Sequence, residues 1–298
     1  SCIDFFTDRG SNVYVCFLDF SKAFDSISHY GLFCNLMERS VPLCFLLIII
    51  FWYLNMSYAC KWGSAKSSSF DVFCGTKQGG ILSPDFFSLY IDDLINILRA
   101  CGVGCHVLYT FLASILFADD MAPLAPTRDA LQKLLDLCLE YCSRHCLVFN
   151  AKKTKIMVFG KLSKHVDMIA PLELNGTVIE FVDRWRYLGF FLVSGLKMTF
   201  SAQSDLGKFY KAANSILNVL RKPKEDVLLH LLYTNCVPIL SYGCEVKSFL
   251  SKDMRDCNTA INNAIRRIFT FHRWESVRYL RESFGYPSIE EIFTRAQN

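Results

Sequence analysis

Ala113-Ser114-Ile115-Leu116-Phe117-Ala118-Asp119-Asp120-Met121-Ala122-Pro123-Leu124 is the stretch on which the fold turns. It reads as two short apolar strands around a tight Asp-Asp turn. Its partner lies a hundred residues earlier. Val13-Tyr14-Val15-Cys16-Phe17-Leu18 is β-prone and almost wholly apolar, the pattern of a central strand covered on both faces, and Asp19 follows at once. An Asp closing a buried strand and an Asp pair in a hairpin turn of the same sheet would cluster three carboxylates on rigid supports. Clustered like charges repel, so such a site asks for a cation. Hard oxygen ligands suit Mg²⁺. Two ions about 4 Å apart can stabilise the attacking and leaving oxygens of a phosphoryl transfer. A second pair, Asp92-Asp93, falls inside a helix and reads as solvated or capping.

Outward from these strands the sequence alternates helix and strand. Ser28 can cap a helix carrying Leu32, Leu36 and Met37, and the apolar run from Val41 to Leu54 reads as a buried core helix, too short to span a bilayer. Residues 58–75 suggest a hairpin region anchored by Trp62 and Phe70. Ser83-Pro84 reads as an N-cap with Pro at the first helical position, and Thr127 as the cap of a helix burying Leu131, Leu134, Leu135, Cys138 and Cys142. Asn175-Gly176 between two β-prone runs signals a type I′ hairpin. From about residue 200 the pattern is helical, with Ile261, Ile265, Ile268 and Phe269 on one face. The expected division is residues 1–198 and 199–298.

The chain of 298 residues carries a formal net charge of only +4, so bulk charge says little about nucleic acid, and local basic clusters matter more. Fourteen cysteines show no disulfide-scaffold spacing; Cys101, Cys105, Cys138, Cys142 and Cys146 recur at intervals of four, as on one helix face, and no C-x-x-C element supports zinc. Signals for secretion or lipidation are absent, which points to reduced thiols inside a cell.

Five segments, in order, resemble the motifs of non-LTR (LINE-type) retrotransposon reverse transcriptases. They are Leu18-Asp19-Phe20-Ser21-Lys22-Ala23-Phe24-Asp25; Gly75-Thr76-Lys77-Gln78-Gly79-Gly80-Ile81-Leu82-Ser83-Pro84; Phe117-Ala118-Asp119-Asp120; Asn150-Ala151-Lys152-Lys153-Thr154-Lys155; and Tyr187-Leu188-Gly189. The resemblance covers roughly residues 13–195. It implies an α+β reverse-transcriptase palm, an antiparallel sheet with helices in a split βαβ arrangement, then a mostly helical thumb, with the fingers truncated to what precedes Val13. It further implies RNA-directed DNA polymerase activity: dNTPs added to a DNA primer on an RNA template, with two Mg²⁺ ions (or Mn²⁺). Asp19, Asp119 and Asp120 would serve the metals, aided by the Phe20 carbonyl. Phe24 would be the steric gate beneath the sugar. Gln78 and Gly79 would lie along the nucleotide and template, and Lys153 would protonate the leaving pyrophosphate. Tyr187, Leu188 and Gly189 would form the primer grip. Lys208, Lys211, Arg221, Lys222, Lys224, Arg266, Arg267, Arg273, Arg278 and Arg281 would follow phosphates or decorate solvated helix faces. A nuclear and cytoplasmic location comes with the family, and no membrane partner is expected. The alternatives are a catalytically inactive remnant that at most binds nucleic acid, a group II intron maturase, and an RNA-templated RNA polymerase, against which Phe24 argues.

Overall fold

A computed structural model describes all residues of the chain except Gln78, Leu220 to Lys222, Ser248 and Asn298. It divides into two compact units, Ser1–Asp183 with Gly195–Lys197, and Arg184–Ser194 with Met198–Asn298. The ribbon of residues 184–194 thus belongs with the helical unit.

The first unit is built on a five-stranded sheet. A short helix α1 (Cys2–Thr7) precedes strand β1 (Val13–Asp19); helices α2 (His29–Glu38), α3 (Leu43–Leu54) and α4 (Ser83–Ala100) follow. Strands β2 (Ser114–Phe117) and β3 (Asp120–Ala125) form the expected hairpin. Helix α5 (Arg128–Arg144) and strands β4 (Lys155–Phe159) and β5 (Glu180–Phe181) complete the unit. The sheet order is β5-β4-β1-β3-β2, and β1 pairs antiparallel with both β3 and β4. Its six residues Val13 to Leu18 are all buried, which explains the unbroken apolar run. Tyr14, Cys16 and Leu18 share a core with Phe87, Ile91 and Leu94 of α4 and Leu131, Leu135 and Cys138 of α5. This is the split βαβ arrangement.

Local signals held where the backbone itself sets the geometry. Ser28 accepts from Gly31 N–H and Thr127 from Ala130 N–H, capping α2 and α5. Asn175 (φ 51°) and Gly176 (φ 71°) turn the 173–178 hairpin. Other expectations need correction. Ser83 is the first residue of α4, not its cap, and its hydroxyl donates to Lys77 O. Helix α3 is not a buried core helix: only Leu46 and Tyr53 are buried, while Phe45, Ile48, Phe51 and Trp52 are exposed. Trp62 (89% exposed) and Phe70 (50%) anchor nothing, because the ribbons at 57–58/70–71 and 61–62/65–66 are two-stranded and largely solvated. Cys101 and Cys105 sit past the end of α4, where Gly102 and Gly104 take positive φ, so only Cys138 and Cys142 share a helix face. Asp92 and Asp93 both face Arg39 in surface ion pairs.

The second unit opens with a three-stranded ribbon, β6 (Arg184–Tyr187), β7 (Phe190–Val193) and β8 (Thr199–Phe200). Helices α6 (Gln203–Val219), α7 (Glu225–Leu231), α8 (Val237–Ser241), α9 (Ser251–Ile268), α10 (Arg278–Ser283) and α11 (Ile289–Gln297) follow. Ile261, Ile265 and Ile268 of α9 enter its core with Phe209, Leu229, Leu240 and Phe293. Among the described residues no helix is long and apolar enough to cross a membrane.

Candidate active site

The ladder between β1 and β3 ends on Asp19 opposite Asp120. Directly opposed residues of an antiparallel pair have Cα atoms about 4.5–5.5 Å apart, so two carboxylates leave the same end of the sheet side by side. Asp119 sits in the two-residue turn between Phe117 and Asp120, and Ala118 beside it is held at φ 53°, a conformation uncommon outside glycine. The structure therefore gathers the three acids on one strand end and one turn. Burial pushes the Asp120 carboxyl up from its ordinary value, and Asp119 and then Asp19 push it further. Lys153 Nζ lies 3.7 Å from Asp19 Oδ2, with the lysine largely exposed. Asp119 and Asp120 have no ion-pair partner among the described residues.

The backbone around Asp19 is pinned. Its carbonyl accepts from Asn150 N–H at 2.7 Å, Phe20 bridges to Phe149, and Ser21 N–H donates to Val148 O. The segment carrying Lys153 is thus stitched to the end of β1. Beyond Phe20 the chain leaves the sheet through Lys22 (φ 52°) into a 3-10 turn, Ala23–Asp25. Phe24 is half-buried, its ring 5.2 Å from that of Phe87 and its carbonyl accepting from Thr76 N–H at 2.7 Å. Phe24 is thus a fixed, partly open ring.

That last bond ties the first motif to the second. Gly75 N–H donates to Ile27 O, buried His29 Nε2 contacts Gly75 O at 2.8 Å, and a Cβ on Gly75 would stand 2.9 Å from the backbone of Asp25. Gly75, His29 and Thr76 tie the two segments together; in the sequence Gly75 and Thr76 stand within the second motif without an assigned role, and His29 is not singled out. Their only local signal is the glycine; the contact spans 46 positions from His29 to Gly75. Gly79 has φ 77°, yet a Cβ there would meet nothing within 4 Å, so conformation and not protein crowding demands glycine. Gln78 lies outside the described residues. An open cavity of about 480 Å³ lies between these loops, lined by Asp25, Tyr58, Gly75, Thr76 and Lys77.

Whether the acids suit a divalent metal can be judged from their chemistry. Their donors are all oxygen, on strand and turn, and the Asp120 carboxyl is raised by burial and then by the charges of Asp119 and Asp19. Among the described residues no three acidic, imidazole or thiol groups stand close enough together to hold a metal ion by themselves. Mg²⁺ rarely relies on an all-protein cage; it takes one or two carboxylates and completes its shell with water and substrate phosphates. The residues fit.

The expected primer-grip residues lie in the second unit. Leu188 (φ 47°) and Gly189 (φ 85°) make the tight turn between Tyr187 and Phe190. A Cβ on Gly189 would meet Tyr242 at 3.1 Å, and the Phe190 and Tyr242 rings stack at 5.2 Å. Of the basic residues, Lys208 pairs with Asp205, Arg278 with Glu282, and Arg267 donates to Asn214. Arg281 is buried, so it does not decorate a solvated helix face. Arg221 and Lys222 fall outside the described residues.

A family model for reverse transcriptase (RNA-dependent DNA polymerase) matches residues 2–192. The chain is 29% identical, over 85% of its length, to the Pol polyprotein of the type-2 retrotransposable element R2DM of Drosophila melanogaster, and covers 24% of that protein. It is 26% identical to the RNA-directed DNA polymerase from mobile element jockey of Drosophila funebris, over 59% of this chain and 19% of that one. The chain thus spans about a quarter or less of these relatives. Apo telomerase from Candida tropicalis shares the fold, with a TM-score of 0.54 and 11% identity, over 99% of this chain and 48% of the other. Reverse transcriptases as a family use divalent metals. The chain belongs to the reverse transcriptase (RNA-dependent DNA polymerase) family, and polymerases of non-LTR retrotransposons are among its relatives.

Proposed function

We propose that this chain carries the catalytic carboxylates of an RNA-directed DNA polymerase, which joins a dNTP to the 3′ end of a DNA primer on an RNA template and releases pyrophosphate. The observation that carries the reading is the Asp19–Asp120 cross-strand pair with Asp119 in the adjoining turn. Asp19, Asp119 and Asp120, with the Phe20 carbonyl, would hold two Mg²⁺ ions, with Mn²⁺ as a substitute. The ions supply Lewis acidity toward the primer hydroxyl and the triphosphate.

The remaining work falls to the chain. The β1–β3 ladder fixes the spacing of the acids. Lys153 places an ammonium beside Asp19, at the edge of the charge cluster, where it can give a proton to departing pyrophosphate. Phe24, held by Thr76 and Phe87, excludes a 2′-hydroxyl. Gln78 and Gly79 would lie along nucleotide and template. The Tyr187-Leu188-Gly189 turn would hold the primer end. Such an enzyme works in the nucleus and cytoplasm, where its templates and targets are.

The test is Mg²⁺-dependent primer extension on an RNA template by an extension-competent polypeptide containing this chain, with and without Asp119→Asn. The variant keeps the side-chain size and removes the charge. Extension is expected to vanish; near-wild-type extension would overturn the assignment.

A further inference from the structure

We propose that the second unit contains a site for a free or terminal phosphate group, in the open cavity of about 370 Å³ between α9, α10 and α11. Arg281 of α10 lies on its wall and is only 8% exposed. Its guanidinium makes no hydrogen bond or ion pair with any described residue, and its Nε is shielded from solvent without a partner. Arginine stays protonated in proteins, and a buried cation held in no ion pair is costly.

The other charged side chains of the cavity have hydrogen-bond partners, those of the two glutamates being neutral. Glu290 accepts from Asn258 Nδ2 at 2.7 Å, and Glu291 accepts from Ser288 N–H at 3.3 Å. Arg278 is bound to Glu282 at 2.7 Å, and Arg266 donates to Glu275 O and Asn263 Oδ1. With Arg278 answered by Glu282, Arg266 and Arg281 stand against Glu290 and Glu291, and Arg281 is the arginine with no hydrogen-bond or ion-pair partner among the described residues. A planar guanidinium fork matches two oxygens of an oxyanion.

A second unmet group narrows the ligand. Asn262 Oδ1, on α9 and also on the cavity wall, is a buried acceptor with no donor. A ligand meeting both needs must offer oxyanion edges and an O–H. Hydrogen phosphate and terminal phosphate monoesters have both at neutral pH. Sulfate and an internal phosphodiester have only acceptors. The site therefore differs from any track along a nucleic-acid backbone, and it stands independently of the polymerase reading.

Calorimetric titration of the full chain with sodium phosphate and with sodium sulfate at matched ionic strength tests this. Saturable phosphate binding is expected, at least about tenfold tighter than sulfate, the value of one hydrogen bond to a charged group. Arg281→Met should abolish it. Asn262→Ala, a milder change, should bring phosphate down to the level of sulfate. Comparing an oligonucleotide with and without a 5′-phosphate separates the sources: a preference for the phosphorylated end assigns the site to nucleic-acid termini, and equal binding assigns it to free phosphate. The proposal is overturned by the absence of saturable phosphate binding, by binding that survives Arg281→Met, or, should that variant fail to fold, by a phosphate-to-sulfate ratio unchanged in Asn262→Ala.

Discussion

Acids are treated in opposite ways in the two units. In the second, Asp205 is buried (6% exposed) and fully answered: Lys247, 2% exposed, lies 3.0 Å away and Lys208 3.3 Å. The Lys247 ammonium also faces the rings of Phe190 at 5.0 Å and Phe249 at 5.4 Å. In the first unit Asp19 faces Asp120 across the ladder with Asp119 in the adjoining turn, and the ion-pair partner among the described residues is the exposed Lys153, 3.7 Å from Asp19. Burial first, and then the neighbouring Asp119 and Asp19, raise the proton affinity of Asp120. A carboxylate that serves the fold carries its cation with it, while carboxylates that serve chemistry leave room for one to arrive.

The comparison can be broken at its sharpest point. Asp119→Asn should abolish primer extension and leave thermal stability unchanged or slightly raised, since it relieves repulsion. A loss of stability alongside the loss of activity would place Asp119 among structural acids. Lys247→Met should do the reverse within the second unit. Removing one partner strands a buried Asp205, a cost of about 3–5 kcal/mol. Urea unfolding followed with a probe in the second unit measures it, and adding Asp205→Asn should recover part of the loss. A cost below about 1 kcal/mol, as for an exposed pair, would end the contrast.

Phe24→Val comes next. If the ring limits the sugar, the ratio of kcat/KM for an rNTP to that for its dNTP should rise by about 10- to 100-fold, the scale on which misplacement of about 1 Å acts. An equal fall for both substrates would make Phe24 a packing residue against Phe87. Among the glycines of the second motif, Gly75→Ala should destabilise more than Gly79→Ala. The first adds a clash with Asp25 to its positive φ, whereas the second meets open space and costs only the roughly 1–2 kcal/mol of a left-handed L-residue. Thermal melts of the two variants rank them.

The smallest effect is electrostatic. Mg²⁺ should raise the melting temperature of the chain by a degree or so, by mass action on the folded state, and not that of Asp119→Asn. Without metal the sign of the pH dependence follows from Asp120. Its folded-state pKa is raised, so its contribution to stability falls as pH climbs from the ordinary 3.8 toward the raised value, and Asp120→Asn should remove that component.

Much of the site was legible because its signals are local. The 114–125 hairpin, the strand ending on Asp19 and the caps at Ser28 and Thr127 each follow from a few consecutive residues. What stayed hidden is tertiary. The bond between His29 and Gly75, and the pair of Asp205 and Lys247, join residues more than forty positions apart with no shared pattern. Helix α3 misled because composition reports how apolar a segment is, not whether neighbours cover it. Ser83 misled by one position: the chain enters α4 a residue earlier, and the hydroxyl turns back to Lys77.

The cross-strand pairing of Asp19 with Asp120 has a consequence at the level of the codon. Side chains alternate faces along a strand, so removing one residue from 13–18 would either shift the ladder by one step or turn every inward residue of β1 outward. In either case Asp19 no longer faces Asp120. The same in-frame loss in the solvated ribbon at residues 61–66, where all six residues are exposed, meets no such constraint. As copies of this gene diverge, single-codon indels should accumulate in the ribbon and be purged from β1, whatever substitutions either segment tolerates.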